Sequence, residues 1–157
     1  MKETPVKTRI KTAGLMIGRY FDETPRLEFS TELPPSVNHS HQNVTRRTKK
    51  GKTYTAKSPT PATRRWRTQA HVDAVNAKAA AKWRTPEEGA KVVVEITYFW
   101  PDESRDRDTH NRIKELMDAL QRPHVFTNDC CALARELDYQ TDPERPRIEL
   151  CIWEKTG

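Results

Sequence analysis

YFWPDESRDRDTHNRIKELMDALQRPHVFTND, residues 98–129, carries three structural signals in one run. It opens on the end of an apolar strand. Residues 91–100 are rich in β-branched and aromatic side chains, and Val92, Val94, Ile96 and Tyr98 share a face. Pro101 ends that strand and a charged loop follows. Asp108 or Thr109 then caps a helix that runs to about Gln121, with Ile113, Leu116, Met117 and Leu120 at i, i+3, i+4 and i+7. Pro123 stops the helix, and the apolar link Val125-Phe126 delivers Asn128 and Asp129.

Outward from this run the chain divides cleanly. Residues 26–32 alternate Leu27, Phe29 and Thr31 against Arg26, Glu28 and Ser30, which predicts a strand; Pro34 and Pro35 stop it. Residues 39–61 show no period and are expected to form a long basic loop. Thr60 and Pro61 are a helix start. The helix is expected to reach about Arg84, with Trp66, Ala70, Ala74, Ala77 and Ala81 as a narrow face of mostly small residues. After Asp129, Leu133, Arg135, Leu137 and Tyr139 alternate along one strand, with Cys130 and Cys131 as partly buried residues at its start. Ile148, Leu150 and Ile152 alternate along the last strand. The order strand, helix, strand, helix, strand, strand predicts a small single α/β (α+β) domain with a mixed sheet and two helices. It would occupy residues 26–157, behind a basic N-terminal extension, residues 1–25, in which 15–21 reads as a weak strand.

Composition sets limits on function. At 157 residues one domain is expected, but only 34% of the chain is hydrophobic, so the core must be modest or be completed by a second subunit. A net charge of +6 favours a polyanionic partner, above all nucleic acid. Three cysteines, two of them adjacent, are not a disulfide framework and suit a reducing compartment. No apolar run is long enough to span a membrane, and residues 13–17 are too short for a signal peptide.

Against this basic background the acids of residues 98–129 stand out. Asp108, His110 and Asp129 are candidate metal ligands, with Asp106 a further one, and Lys114 is a cation one helical turn beyond His110. A helix of about thirteen residues rises about 20 Å, and the chain from Gln121 to Asp129 spans about that distance if extended. Asp129 therefore reaches back to the helix entrance in cis, or serves the site of a second subunit. Carboxylates suit Mg²⁺ or Mn²⁺, which activate water and bind a scissile phosphate, while Lys114 would stabilise developing charge. Arg46, Arg47, Lys49, Lys50, Lys52 and Lys57 crowd around Gly51 and Tyr54, a composition suited to DNA backbone contact and stacking. Arg64, Arg65 and Arg67 sit near the start of the first helix, where the dipole disfavours cations and a phosphate would relieve the conflict. Two other readings stand beside the metal nuclease. One is a non-catalytic basic DNA-binding protein whose acids only cap a helix. The other is a zinc protein using His39, His41, His124, Cys130, Cys131 or Cys151, although no C-x-x-C or H-x-x-x-H pairing is present.

At these residues the chain resembles a known family. Asp108-Thr109-His110-Asn111-Arg112-Ile113-Lys114, then Asp118-Ala119-Leu120, then Val125-Phe126-Thr127-Asn128-Asp129, is similar to the motif of the RusA family of Holliday junction resolvases. Leu33-Pro34-Pro35-Ser36-Val37-Asn38 resembles that family's early P-P-S-x-N turn, and the similarity runs over residues 26–154. The resemblance implies a homodimeric, Mg²⁺-dependent endonuclease that nicks four-way DNA junctions symmetrically. It implies Asp108 and Asp129 as catalytic aspartates and Lys114 as the catalytic lysine. The pattern departs at His110, which stands where the family has its second aspartate, and at Asn128, where an aspartate is common. The expected location is the cytoplasm, on nucleoid-associated DNA, a phage gene being one source of such a chain.

Overall fold

The computed structural model describes residues 24–103 and 108–155. Asp106 and nearly all of the expected N-terminal extension, including residues 15–21, lie outside the described residues. The described elements are β1 (Arg26–Thr31), β2 (His41–Arg47), β3 (Thr53–Pro59), α1 (Pro61–Ala81), β4 (Val92–Trp100), α2 (His110–Gln121), a 3₁₀ turn (Asp129–Cys131), β5 (Ala132–Thr141) and β6 (Arg147–Glu154). Four strands form one sheet in the order β1-β6-β4-β5, and β2 and β3 form a separate hairpin. Within the sheet β4 and β5 are parallel, while β6 runs antiparallel to both β4 and β1. The expected small domain, with two helices and a mixed sheet, is the observed one.

Strand β4 is the centre of this arrangement. All nine of its residues are buried. Val92, Val94, Ile96, Tyr98 and Trp100 join the main core with Trp66, Ala70 and Ala74 of α1, and Leu116, Met117 and Leu120 of α2. Both helices therefore cover one face of the sheet. On the other face Arg147 lies over Phe99 at 3.8 Å and Arg26 over Trp153 at 4.5 Å, so long cations shield aromatic rings there.

Four sequence expectations need correction. The stretch expected to be a basic loop is the β2–β3 hairpin. Gly51 donates its N–H to Thr48 O at 2.9 Å and adopts φ 82°, a left-handed conformation that lets the turn close tightly. Its strands are polar on both faces, with only Val44 and Ala56 partly buried at its middle, so no alternation marked them. Helix α1 stops at Ala81, where Lys82 takes a left-handed cap (φ 52°), and Ala81 itself is exposed. Strand β5 has the opposite facing to that suggested by its leucines. Ala132, Ala134 and Glu136 pair with the core-facing Val92, Val94 and Ile96, and a bulge shifts the register after Glu136. Leu133, Leu137 and Tyr139 are left 42%, 46% and 57% exposed. Cys130 and Cys131 lie in the 3₁₀ turn before β5 rather than in the strand, and Cys130 is exposed.

Candidate functional site

Helix α2 carries most of the candidate residues, and its entrance is firmly built. Asp108 Oδ1 accepts from Asn111 N at 3.2 Å and its other oxygen contacts the Asn111 amide, so this acid caps the helix. Thr109 makes no cap bond; its hydroxyl donates across to Glu136 Oε2 on β5 at 3.1 Å. The Pro34–Asn38 turn docks on the same first turn. Val37 N donates to Asn111 O at 2.8 Å, and Arg112 Nη1 donates to Pro34 O. The Arg112 guanidinium also lies 5.0 Å above the Trp100 ring, which is stacked on Tyr98 at 5.5 Å. The two motif segments, distant in sequence, are thus one structural unit around the α2 N-terminus.

The cap bonds leave the Asp108 side chain exposed, and His110 and Lys114 are exposed too. Asp129 reaches α2 by a separate route. Val125 and Phe126 are buried, and α1 and the chain just after it hold the link by its carbonyls. Lys78 Nζ donates to Pro123 O and His124 O at 2.8 and 2.9 Å, Trp83 Nε1 to Val125 O at 2.9 Å, and Thr85 Oγ1 to His124 O at 2.7 Å. The Asn128 side chain then accepts from Cys130 N at 3.1 Å and caps the turn that displays Asp129.

Asp129 comes to rest beside the middle of α2. Its charge acts on Asp118, whose carboxyl is held above the usual range, first by burial, then by Glu115, with Lys114 opposing and Asp129 adding to the rise. Asp108 and Asp118 are ten residues apart, about 15 Å along a helix. Among the described residues no three His, Cys, Asp or Glu side chains gather to hold a metal, so Asp108, His110 and Asp129 do not form a ready three-ligand cage. Magnesium does not require one. It keeps several waters and is often held by one or two carboxylates plus substrate phosphate. The exposed Asp108, with Glu136 across Thr109, supplies donors of that kind at the α2 entrance.

The basic candidates divide into two groups. Arg46, Arg47, Lys49, Lys50, Lys52 and Lys57 are all exposed on the hairpin, and Tyr54, directly across from Arg46, is 49% exposed. Arg47 also ties the turn by donating to Gly51 O at 3.0 Å. Arg64 and Arg65 are exposed, with Arg64 bonded to Pro59 O at 2.7 Å. Arg67 is turned inward, in a 2.8 Å ion pair with buried Glu115, and so is engaged within the protein rather than presented to a phosphate.

Sequence reasoning passed over Glu136, Tyr98 and Arg112. The one signal for Glu136 was a carboxylate in phase with Ala132 and Ala134 on an outer strand, and the leucines of the opposite phase concealed it.

The family model for endodeoxyribonuclease RusA matches residues 33–153. No curated protein matches the chain. The match covers most of the chain, from the Pro34–Asn38 turn through β6. The chain therefore belongs to the RusA family of Holliday junction endodeoxyribonucleases.

Proposed function

We propose, on the premise that this chain is a RusA-family endodeoxyribonuclease, that Asp108, His110, Asp129 and Lys114 carry its cleavage chemistry and that it resolves four-way junctions by paired nicks as a homodimer. The nuclease domain would be residues 26–157, behind a basic extension at residues 1–25. The single observation that carries the reading is the α2 entrance, where the Pro34–Asn38 turn and the Asp108-to-Lys114 motif lock together and leave an acidic site open to solvent.

Nucleases of this family are generally metal-dependent. The bound cation, Mg²⁺ with Mn²⁺ accepted, would supply a polarised phosphate and an activated water. Asp108, His110 and Asp129, with Asp106, are the residues that would hold it. Lys114, exposed one turn beyond His110, would neutralise charge on the scissile phosphate. The hairpin would follow the DNA backbone through Arg46, Arg47, Lys49, Lys50, Lys52 and Lys57, with Arg64 and Arg65 continuing that surface. The homodimer is supported by Leu133, Leu137 and Tyr139, apolar side chains exposed on the outer strand β5. Among the described residues no helix is long and apolar enough to cross a membrane.

The test is cleavage of a synthetic four-way junction beside a linear duplex, each with Mg²⁺, Mn²⁺ or EDTA. Symmetrical nicks in the junction that vanish with EDTA support the proposal. Binding without cleavage in either metal would replace it with the non-catalytic DNA-binding reading.

A further inference from the structure

Cys130 and Cys131 are consecutive residues in the 3₁₀ turn that begins with Asp129. Their sulfurs lie 3.7 Å apart, with Cys130 exposed and Cys131 half-buried. Nothing in the metal-nuclease reading uses either thiol. The turn is built tightly around them. Cys130 N donates to Asn128 Oδ1 and Cys131 N to Asn128 O, both at 3.1 Å, and Ala132 N donates to Asp129 O. Both ends of the turn are anchored. Val125 and Phe126 are buried before it, and Ala132 packs against the core after it. A change of shape between the two cysteines must therefore be absorbed by the turn itself, Asp129 included. The third cysteine stands apart. Cys151 lies on β6 within 3.7 Å of Arg26 and Glu28, and burial pushes its thiol up to about 11.

We propose that Cys130 and Cys131 are an oxidative modification site, where a peroxide joins the two thiols in a vicinal disulfide that displaces Asp129 and switches cleavage off reversibly. The inference rests on the nuclease reading, in which Asp129 holds the cation. The Cys130 sulfur attacks one peroxide oxygen, the O–O bond breaks, a sulfenic acid forms and water leaves. The Cys131 sulfur then attacks the Cys130 sulfur, the S–O bond breaks and a second water leaves. Two thiols are oxidised and one peroxide is reduced. The geometry makes this bond both accessible and labile. The sulfurs have to close from 3.7 Å to about 2 Å, with no residue between them. Adjacent Cα atoms are about 3.8 Å apart across a trans peptide, below the roughly 4.4–6.8 Å of ordinary disulfides. The closed ring therefore strains the peptide between the cysteines, and the turn's hydrogen bonds are the first to yield. Strained or exposed disulfides are the readily reduced ones, so a small thiol restores the turn. The simpler alternative is that the pair only fills space at the head of β5. That accounts for half-buried Cys131 and not for exposed Cys130.

The experiment treats the full chain with hydrogen peroxide, quenches with catalase, and compares wild type, Cys130→Ser, Cys131→Ser and Cys151→Ser. Contact with Cys131 holds the Cys130 thiol above its ordinary pKa, so the peroxide is used in excess. In wild type the tryptic peptide 115–135 should lose two hydrogens, and Cys151 should remain the one titratable thiol. Junction cleavage should fall in step with the disulfide fraction, by about a hundredfold at completion, the scale for losing one group that acts on transition-state charge. Mn²⁺ affinity of the DNA-free protein, followed by electron paramagnetic resonance, should weaken by at least about tenfold. Dithiothreitol should restore the peptide mass, the affinity and the cleavage. Cys151→Ser should behave as wild type. Cys130→Ser and Cys131→Ser should cut normally when reduced and go on cutting after peroxide. A wild-type peptide that only gains oxygen, or that cross-links one chain to another, would overturn the proposal. So would a complete vicinal disulfide with unchanged cleavage and Mn²⁺ affinity. The reduced wild type tests the nuclease reading separately. A protein that forms the disulfide and loses Mn²⁺ affinity, yet never cuts when reduced, supports the modification site and removes the nuclease reading.

Discussion

Arg67 of α1 holds the buried carboxylate of Glu115 of α2 through two guanidinium nitrogens, at 2.8–3.1 Å. Glu115 is only 3% exposed, and His41 at the start of the hairpin approaches it at 4.0 Å. The pair therefore ties both helices and the base of the hairpin at one point. Removing one partner of a buried pair leaves an uncompensated charge, which commonly costs about 3–5 kcal/mol. Arg67 is 23% exposed, and solvent screening reduces that figure. Arg67→Met should destabilise the fold by about 2–3 kcal/mol in urea unfolding, and Arg67→Met with Glu115→Leu by clearly less. Equal losses in the single and double variants would show that packing, not charge, holds the joint.

The hairpin tip gives a second expectation. Replacing Arg46, Lys49, Lys50 and Lys52 with alanine removes four exposed cations and spares Arg47, which closes the turn. Each lost phosphate contact lowers the slope of log affinity against log salt by about 0.9, so the slope should fall by up to about 3–4. Affinity should drop alike for junction and duplex. An unchanged slope would place the DNA surface elsewhere.

What the sequence made legible follows from burial. Strand β4 and the core stripe of α2 were readable because their apolar side chains meet one core in a fixed period. The α1 start was readable because Thr60 accepts from Thr63 N at 3.2 Å, a local cap with a local signature. The hairpin was not, since its strands bury little and carry no period. Strand β5 misled because its leucines are exposed and only Ala132 packs against the core, so the apolar phase was the wrong one. The residue types of the site were legible, but their grouping was not. Thr109 meets Glu136 across a sheet edge that no local pattern encodes, and Asp129 is placed by carbonyl bonds from α1 and the loop after it, more than forty residues upstream.

Asp118 gives a pH signature. Its carboxyl is held above the ordinary carboxylate value, chiefly by burial and by Glu115. The folded state then binds the proton more tightly than the unfolded chain. Stability contributed by this group is greatest at low pH and is lost as pH rises from the ordinary carboxylate value through the raised one. Asp118→Asn should therefore stabilise the protein at neutral pH, and that gain should shrink as the pH is lowered through the same window. A gain independent of pH in thermal melts would point to a different cause.

Asp129→Asn keeps the shape of the side chain and the 3₁₀ turn, since Asn128 supplies the cap. It removes one negative charge from an exposed position that would face phosphate. Junction cleavage should fall about a hundredfold or more, the scale for losing one group that acts on transition-state charge. Junction binding in EDTA should stay equal or become tighter, because less charge repels the backbone. Parallel losses of binding and cleavage would give Asp129 a structural role instead.

His110 is the last residue to test, and metal choice is its readout. It occupies the first turn of α2, exposed, two residues from Asp108 and one turn before Lys114. Its imidazole offers a neutral nitrogen. Mg²⁺ accepts nitrogen poorly and prefers oxygen, whereas Mn²⁺ tolerates it better. The wild type should therefore cut junctions at least as well with Mn²⁺ as with Mg²⁺. His110→Asp adds a carboxylate beside Asp108 and should move the preference toward Mg²⁺. His110→Ala should weaken Mn²⁺ more than Mg²⁺. Cleavage rates against each metal concentration, for wild type and these variants, check the whole set. Superimposable curves for wild type, His110→Ala and His110→Asp would remove His110 from the metal and leave it a contact to the DNA or to water.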